Sequence, residues 1–197
     1  MRTKASGESA LLLLDAIQVL RAEHVDYAVI GAMAASVHGV IRASRDADAL
    51  LSVSVSALGR LECCFQGVGF KTELRRGDMD DPISAVLTLH DSFENRVDLL
   101  VGIRGFDPQA FSRTLEVPFD GEPLRFVGLE DFVAMKVFAG SPQDIADARS
   151  ALEAASEPPD ADLLEKLARR YGSDTVRFLQ GLLSDFSRNL DSGLEPE

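Results

Sequence analysis

Residues 27–53, YAVIGAMAASVHGVIRASRDADALLSV, carry the most informative pattern in the chain. The first four are a short apolar run rich in residues that favour strands, and Gly31 ends this run. The alanine-rich residues 32–38 favour a helix, which Gly39 terminates. A second strand is expected over residues 46–53. The stretch therefore predicts a strand, a glycine turn, a short helix and a second strand.

Two carboxylates lie at the start of the second strand. Asp46 and Asp48 are two residues apart, so on a strand their side chains point to the same face. Neighbouring like charges repel each other unless a cation lies between them, and hard divalent ions such as Mg²⁺ prefer oxygen ligands. The pair therefore predicts a metal site. The alternative is a solvated strand end that carries two surface acids.

A third carboxylate, Asp98, interrupts the apolar, β-branched run at residues 97–101. An acid inside a buried strand needs a partner or a function. If this strand lies beside the strand of Asp46 and Asp48, three carboxylates converge. Such a set suits two metal ions that clamp an in-line phosphoryl transfer.

These motifs, in this order, resemble the DNA-polymerase-β-type nucleotidyltransferase superfamily. The matching residues are Gly31-Ala32, then Arg42-x-Ser44-x-Asp46-x-Asp48, then Asp98. Downstream, residues 128–139, GLEDFVAMKVFA, and residues 143–147, QDIAD, are similar to one branch of small bacterial nucleotidyltransferases. That branch includes the AbiEii-like toxins of abortive-infection toxin–antitoxin pairs. The resemblance spans residues 10–155.

The resemblance implies an α/β (α+β) nucleotidyltransferase fold, with a short, mixed, largely antiparallel sheet flanked by helices. Residues 1–127 would form the catalytic core, and residues 128–197 a C-terminal helical region that packs on it. The implied activity moves a nucleoside monophosphate from an NTP, such as ATP, to a hydroxyl of tRNA, of a protein or of a small molecule. Its most specific version is a toxin with an antitoxin partner. The alternative is a catalytically weak binding or regulatory protein of the same fold.

The resemblance also implies roles for the first group of residues. Asp46 and Asp48 would bridge two Mg²⁺ ions, and Asp98 would complete the second ion site as the third catalytic carboxylate. Gly31 allows a tight turn, and backbone N–H groups at the following helix start would contact the triphosphate. The family usually has glycine or serine where this chain has Ala32, so a hydroxyl is missing there, and this favours the non-catalytic alternative.

The remaining candidates each have a functional and a structural interpretation. Arg42 would contact phosphate or neutralise the acids, and Ser44 would match the branch or cap the turn. The resemblance makes Lys136 a nucleotide contact, whereas a lysine on an apolar helix face is also a common way to cover apolar surface. Asp144 matches an acid of the branch, and it would otherwise pair with Lys136 or cap its helix.

Composition restricts the class of protein. The formal net charge is −12, which argues against sequence-independent nucleic-acid binding and still permits an RNA held by a local basic patch. Cys63 and Cys64 are adjacent and cannot form a disulfide framework, so we expect a cytoplasmic protein. The apolar run 11–14 is too short to cross a bilayer, and we expect no membrane partner.

Periodicity predicts the remaining elements. Helices are expected over residues 9–22, 55–67, 106–111, 128–139, 142–155, 160–171 and 173–190, and strands over residues 71–75, 84–89, 95–101, 114–119 and 123–127. Residues 77–82 are expected to form a polar turn and residues 191–197 a frayed end.

Overall fold

The computed structural model describes residues 1–192, with side chains described up to residue 185. The helices are α1 (Ser9–Ala22), α2 (Gly31–Val37), α3 (Leu58–Gly67), α4 (Leu129–Ala139), α5 (Pro142–Ala154), α6 (Ala161–Tyr171) and α7 (Ser173–Ser192). The strands are β1 (Tyr27–Ile30), β2 (Asp46–Leu51), β3 (Lys71–Arg76), β4 (Ile83–His90), β5 (Arg96–Ile103), β6 (Leu115–Phe119) and β7 (Glu122–Phe126).

The predicted elements agree with the structure apart from details at their ends. The short helix expected over residues 106–111 is a 3₁₀ turn at Pro108–Ser112, where proline fits a first helical turn. Helix α7 includes Asp191 and Ser192, so the frayed end predicted from residue 191 is wrong for these two residues. The rest of that prediction, residues 193–197, lies outside the described residues.

One mixed sheet with the strand order β3-β4-β5-β2-β1-β7-β6 forms the scaffold. The β2·β5 and β1·β7 pairs are parallel, and the other four pairs are antiparallel. Two antiparallel hairpins are present, β4 with β5 and β6 with β7, as the short links between these strands favour. Asp120 and Gly121 have positive φ angles of 48° and 77°, as a two-residue hairpin turn requires.

Contacts divide the chain into two compact units. The first comprises Met1–Ala34, Arg42–Arg104 and Pro108–Val127 and contains the whole sheet. In this unit α1 packs on β2 and β5, and α3 packs on β3 and β4. All four residues of β1 are buried, and in β2 and β5 buried residues alternate with partly exposed ones. One face of the central strands therefore belongs to the core, and the other face presents the polar residues.

The second unit comprises Ala35–Ile41, Gly105–Asp107 and residues from Gly128 onward. Within it α4 contacts α5, α6 and α7. Ser141 caps α5 by accepting a hydrogen bond from the Asp144 amide, with Pro142 in the first turn, and Asp160 caps α6. In the part of the chain that the structure describes, no helix has both the length and the apolar character needed to cross a membrane. The domain division made from the sequence at residue 127 stays a prediction.

Candidate active site

The three candidate carboxylates lie on adjacent strands of the first unit. In the parallel β2·β5 pair, Asp48 is the register partner of Asp98, and Asp46 is the register partner of Arg96. Residues that are paired in register share a face of the sheet, and so do residues two apart on one strand. The structure therefore places Asp46, Asp48 and Asp98 on one face, as the sequence pattern predicted. We refer to these three residues as the carboxylate row.

The glycine turn lies directly against the carboxylate row. Gly31 has a φ of 64°, and a Cβ atom built there would lie 2.2 Å from Oδ2 of Asp48. No side chain fits at that distance, so Gly31 is required both by its backbone conformation and by the position of Asp48. The end of β1 is in register with the same residue, since Ile30 pairs with Asp48. The turn and the carboxylate row therefore pack directly against each other, and the neighbouring Ala32 is buried.

Asp98 is held by two donors of different kinds. Thr88, its register partner on β4, donates from Oγ1 to Oδ1 of Asp98 over 2.8 Å. Arg96 donates from Nε to the same oxygen over 3.0 Å, and its Nη2 lies 2.8 Å from Oδ2. The hydrogen bond and charge of Asp98 raise the pKa of Arg96, and the charges of Asp46 and Asp48 raise it further, although burial opposes the shift. The guanidinium of Arg96 therefore interacts with the whole row.

The segment before β2 contacts the row through Ser44. Ser44 donates from Oγ to Oδ1 of Asp46 over 2.6 Å, so its hydroxyl holds the first carboxylate. Arg42 lies in the same segment and has interactions of its own. Its predicted role as a phosphate contact stays a prediction.

The row can be compared with what a divalent cation needs. Its donor set consists of carboxylate oxygens, which are the ligands that Mg²⁺ prefers. Among the side chains that the structure describes, up to residue 185, no three of the histidine, cysteine, aspartate or glutamate type form a group that could hold a metal ion. At this site Arg96 contacts both oxygens of Asp98. The residue types of the row fit a magnesium site.

A second group of charged residues lies in the second unit. Lys136 on α4 contacts Oδ1 of Asp144 at 2.7 Å and Oδ2 of Asp147 at 2.9 Å, both on α5. Asp147 is completely buried and also accepts a hydrogen bond from Gln143. The structure therefore supports the pairing of Lys136 with Asp144 that the structural interpretation expected. A nucleotide-binding role for either residue stays a prediction.

The surroundings of the Asp144 carboxylate stabilise its ionised form. Burial opposes ionisation, but hydrogen bonds from Lys136 and Ser141 outweigh burial and lower the pKa of Asp144. The carboxylate accepts from the Ser141 hydroxyl over 2.6 Å, while the Ser141 oxygen accepts from the Asp144 amide. The ion pair between Asp144 and Lys136 therefore joins the start of α5 to α4.

A buried turn fixes the strand that carries Asp98. Asp91 at the end of β4 accepts hydrogen bonds from the amides of Phe93 and Asn95 and from the Asn95 side chain. Asn95 in turn accepts from the Glu8 amide and donates to the Ala5 carbonyl. The network joins the β4–β5 turn to the segment before α1, and it sets where β5 begins.

Sequence reasoning missed three residues of the site, Thr88, Arg96 and Asp91. Arg96 had a detectable signal, because it precedes Asp98 by two residues and therefore shares its face on a strand. Thr88 could be found only after β4 and β5 had been aligned in register. Asp91 follows the strand predicted over residues 84–89, and its polar neighbours gave no sign that it is buried.

Comparison with solved structures identifies the fold. No protein-family model matches the sequence, and no curated protein matches it. The crystal structure of ANT(2″)-Ia in complex with adenylyl-2″-tobramycin has a TM-score of 0.55 at 15% identity, covering 82% of this chain and 95% of that one. The solution structure of this antibiotic-resistance factor has a TM-score of 0.58 at 14% identity, covering 93% and 99%.

A third structure comes from a different source. A Thermotoga maritima protein, provisionally described as a nucleotidyltransferase, has a TM-score of 0.55 at 18% identity and covers 78% of this chain and 98% of its own length. At identities this low, a likeness of structure establishes the fold, and activity is a separate question. Together with the sheet order and the glycine turn, these comparisons confirm that the chain has the nucleotidyltransferase fold.

Proposed function

We propose that this chain is an enzyme, a nucleotidyltransferase that moves a nucleoside monophosphate from an NTP, such as ATP, to a hydroxyl group. The observation that carries the proposal is the register pairing of Asp48 with Asp98, with Gly31 packed against the Asp48 carboxylate. Carboxylates on adjacent strands repel each other. Arg96 offsets part of this repulsion, but one cation among three acids leaves an excess of negative charge, which favours a functional reason for the row.

The proposed roles follow from the positions of the residues. Asp46 and Asp48 would hold the divalent cations, and Asp98 would serve the second of two Mg²⁺ sites. When bound, the ions would neutralise triphosphate charge and lower the pKa of the acceptor hydroxyl. Gly31 leaves space beside Asp48 that any side chain would fill. The proposed nucleotide contacts in the first unit are Gly31, Ala32, Arg42 and Ser44.

The proposed reaction forms one bond to the α-phosphorus and breaks another. The acceptor hydroxyl gives its proton to the Asp98 carboxylate, and its oxygen forms a bond to the α-phosphorus. The bond between the α-phosphorus and the bridging oxygen breaks, and pyrophosphate leaves with both electrons of that bond. Thr88 keeps Asp98 in position by its hydrogen bond to Oδ1 while the proton moves.

We propose a small hydroxylated amine as the first acceptor class to test. The formal net charge of −12 attracts cations and repels nucleic acid. One of the structures with this fold, ANT(2″)-Ia, was solved with an adenylylated tobramycin. RNA and protein side chains remain the other two acceptor classes to be tested, and an antitoxin would be a further partner.

A labelling assay tests the proposal. Purified protein and Mg²⁺ are incubated with each of the four α-labelled NTPs and with tobramycin, total RNA or cell protein as the acceptor. We expect label to enter one acceptor class with the wild type and not with an Asp46→Asn/Asp48→Asn variant. Equal labelling by the wild type and the variant would refute the proposed site.

The toxin role is the narrower version of the proposal. It rests on the resemblance of residues 128–139 and 143–147 to the abortive-infection branch. It predicts that expression of the chain arrests growth and that Asp48→Ala relieves the arrest. Arrest that persists with Asp48→Ala would exclude a toxin that acts through this site.

A non-catalytic binding protein is the second candidate function. Two observations favour it, the alanine at position 32 and the pairing of Asp98 with Arg96. Nucleotide-binding calorimetry combined with the labelling assay separates the two candidates. An enzyme binds an NTP and transfers its label, whereas a regulator binds the NTP and transfers nothing to any acceptor class.

A further inference from the structure

Arg96 lies among the acids of the carboxylate row. It contacts both oxygens of Asp98, through Nε to Oδ1 and through Nη2 to Oδ2. A guanidinium that bridges both oxygens of one carboxylate forms the strongest and most directional kind of ion pair. The pKa of Arg96 is raised first by its hydrogen bond to Asp98 and further by the charges of Asp46 and Asp48. One guanidinium therefore pairs with Asp98 and lies in the field of the other two acids.

The strand register brings this arrangement about. Arg96 and Asp98 are two residues apart on β5 and share a face, and Asp46 is the register partner of Arg96. Arg96 and Asp98 thus stand beside Asp46 and Asp48 as two neighbouring pairs on two parallel strands. Three positions of this square are acidic and one is basic, and the basic position sits at the exposed end of β5.

The two donors to Asp98 differ in their freedom to move. The Arg96 side chain is 48% exposed, so the guanidinium can turn out into solvent without opening a cavity. Thr88 is only 8% exposed and is fixed by the β4·β5 ladder. The Asp98 side chain is 13% exposed, and its hydrogen bond from Thr88 does not depend on the arginine. Asp98 can therefore lose its arginine and keep its threonine, which leaves its carboxylate oriented and its Oδ2 available.

We propose that Arg96 is an internal counter-ion that holds the cation position of the carboxylate row and must release Asp98 before a divalent cation binds there. This inference rests on the proposed function, because it assumes that the row receives a cation. Two consequences follow. The row stays folded without a metal because Arg96 offsets the repulsion of its acids. The affinity for divalent cations is lower than three free carboxylates would give.

Mn²⁺ binding to the full chain tests this inference. Free Mn²⁺ is measured by its electron paramagnetic resonance signal during titration of the wild type, Arg96→Gln and Arg76→Gln. Arg76 is exposed on β3, and its substitution changes the net charge by the same amount. We expect Arg96→Gln to bind Mn²⁺ about tenfold more tightly, the effect of one charge at contact range, and Arg76→Gln to stay within about twofold of the wild type.

A second readout follows stability without metal. With EDTA present, Arg96→Gln is expected to melt at a lower temperature than Arg76→Gln, because the three acids then lack their counter-ion. Adding Mn²⁺ should raise the melting temperature of Arg96→Gln more than that of either other protein. Should Arg96→Gln fail to fold, Arg96→Lys replaces it in the titration. A lysine cannot bridge both oxygens of Asp98, so tighter Mn²⁺ binding by Arg96→Lys supports the proposal and unchanged binding refutes it.

The outcomes separate this inference from the proposed function. If the wild type binds Mn²⁺ and Asp48→Asn does not, while Arg96→Gln binds like Arg76→Gln, the counter-ion role is refuted and the metal site stands. If neither the wild type nor Arg96→Gln takes up Mn²⁺, the inference and the proposed metal site are both refuted. If Arg96→Gln binds Mn²⁺ more tightly than the wild type and Arg76→Gln do, the counter-ion role and the proposed metal site are both supported.

Discussion

Replacing Gly31 with alanine is the most informative perturbation of this site. The new Cβ would lie 2.2 Å from Oδ2, 3.0 Å from Cγ and 3.2 Å from Cβ of Asp48. An ordinary contact begins at 3.4 Å, so Oδ2 must retreat by about 1.2 Å, the difference between the two distances. The closest of these atoms, Oδ2, is at the end of the Asp48 side chain. The inexpensive response is therefore a rotation of Asp48, with little change in the backbone.

The expected result is a large loss of activity with a small loss of stability. A misplacement of about 1 Å in a catalytic group costs roughly 100-fold in rate. The positive φ of Gly31 adds a backbone penalty of about 1–2 kcal/mol for alanine. The rate of label transfer and the free energy of unfolding in urea are the two measurements. Mn²⁺ affinity should fall together with the rate, because Asp48 would then no longer face its partner Asp98.

Gly121→Ala is the matched control for this experiment. Gly121 also has a positive φ, 77°, but a Cβ atom there meets nothing within 4 Å. Both variants therefore carry the same kind of backbone strain, and only Gly31→Ala displaces a carboxylate. We expect Gly121→Ala to lose about 1–2 kcal/mol of stability and to keep its transfer rate. Equal rates for the two variants would refute the idea that Gly31 positions Asp48.

Three further predictions concern the supporting contacts. Thr88→Val removes the donor to Oδ1 of Asp98, so label transfer should fall about tenfold. Thr88→Ser keeps a hydroxyl and should restore most of the rate. An unchanged rate in the valine variant would contradict the positioning role. Asp91→Ala leaves buried donors of the β4–β5 turn unpaired and should lower the free energy of unfolding by about 2–3 kcal/mol in a urea titration, and a loss near zero would show that water replaces the carboxylate. Because the pKa of folded Asp144 lies below its unfolded value of about 3.9, its ion pair stabilises the protein above that pH and loses its effect as the pH falls. The stability difference between the wild type and Asp144→Asn should therefore shrink between pH 6 and about pH 3, and a constant difference would contradict this assignment.

The sequence was sufficient to predict the central strands because their signals are local. The apolar run of Tyr27–Ile30 ends at Gly31. The turn that follows has a positive φ at this residue, which glycine tolerates. The hairpins were equally accessible, since their links are short and carry turn residues such as Asp120 and Gly121. Local chemistry fixed these elements, and the structure agrees with them.

The neighbours of β2 could be predicted only conditionally. Strand β5 begins 45 residues after the last residue of β2 in the chain, and the pairing of Asp48 with Asp98 depends on tertiary packing. The sequence suggested that the acids would meet if the strands were adjacent, and the structure supplies that adjacency. Arg96 was overlooked for a physical reason, because a charged residue at a strand end is usually solvated. Its importance appears only with the register.

The proposed transfer of a nucleoside monophosphate is tested most directly by a paired labelling experiment. The protein is incubated with Mg²⁺ and an acceptor, using ATP labelled either at the α- or at the γ-phosphorus, in parallel with Asp48→Asn. We expect the α-label to enter the acceptor, the γ-label to appear in pyrophosphate, and both signals to fall about 1,000-fold in Asp48→Asn, since a carboxylate–metal contact is worth several kcal/mol. Transfer of the γ-label to the acceptor, or α-label transfer that does not depend on Asp48, would contradict the proposed function.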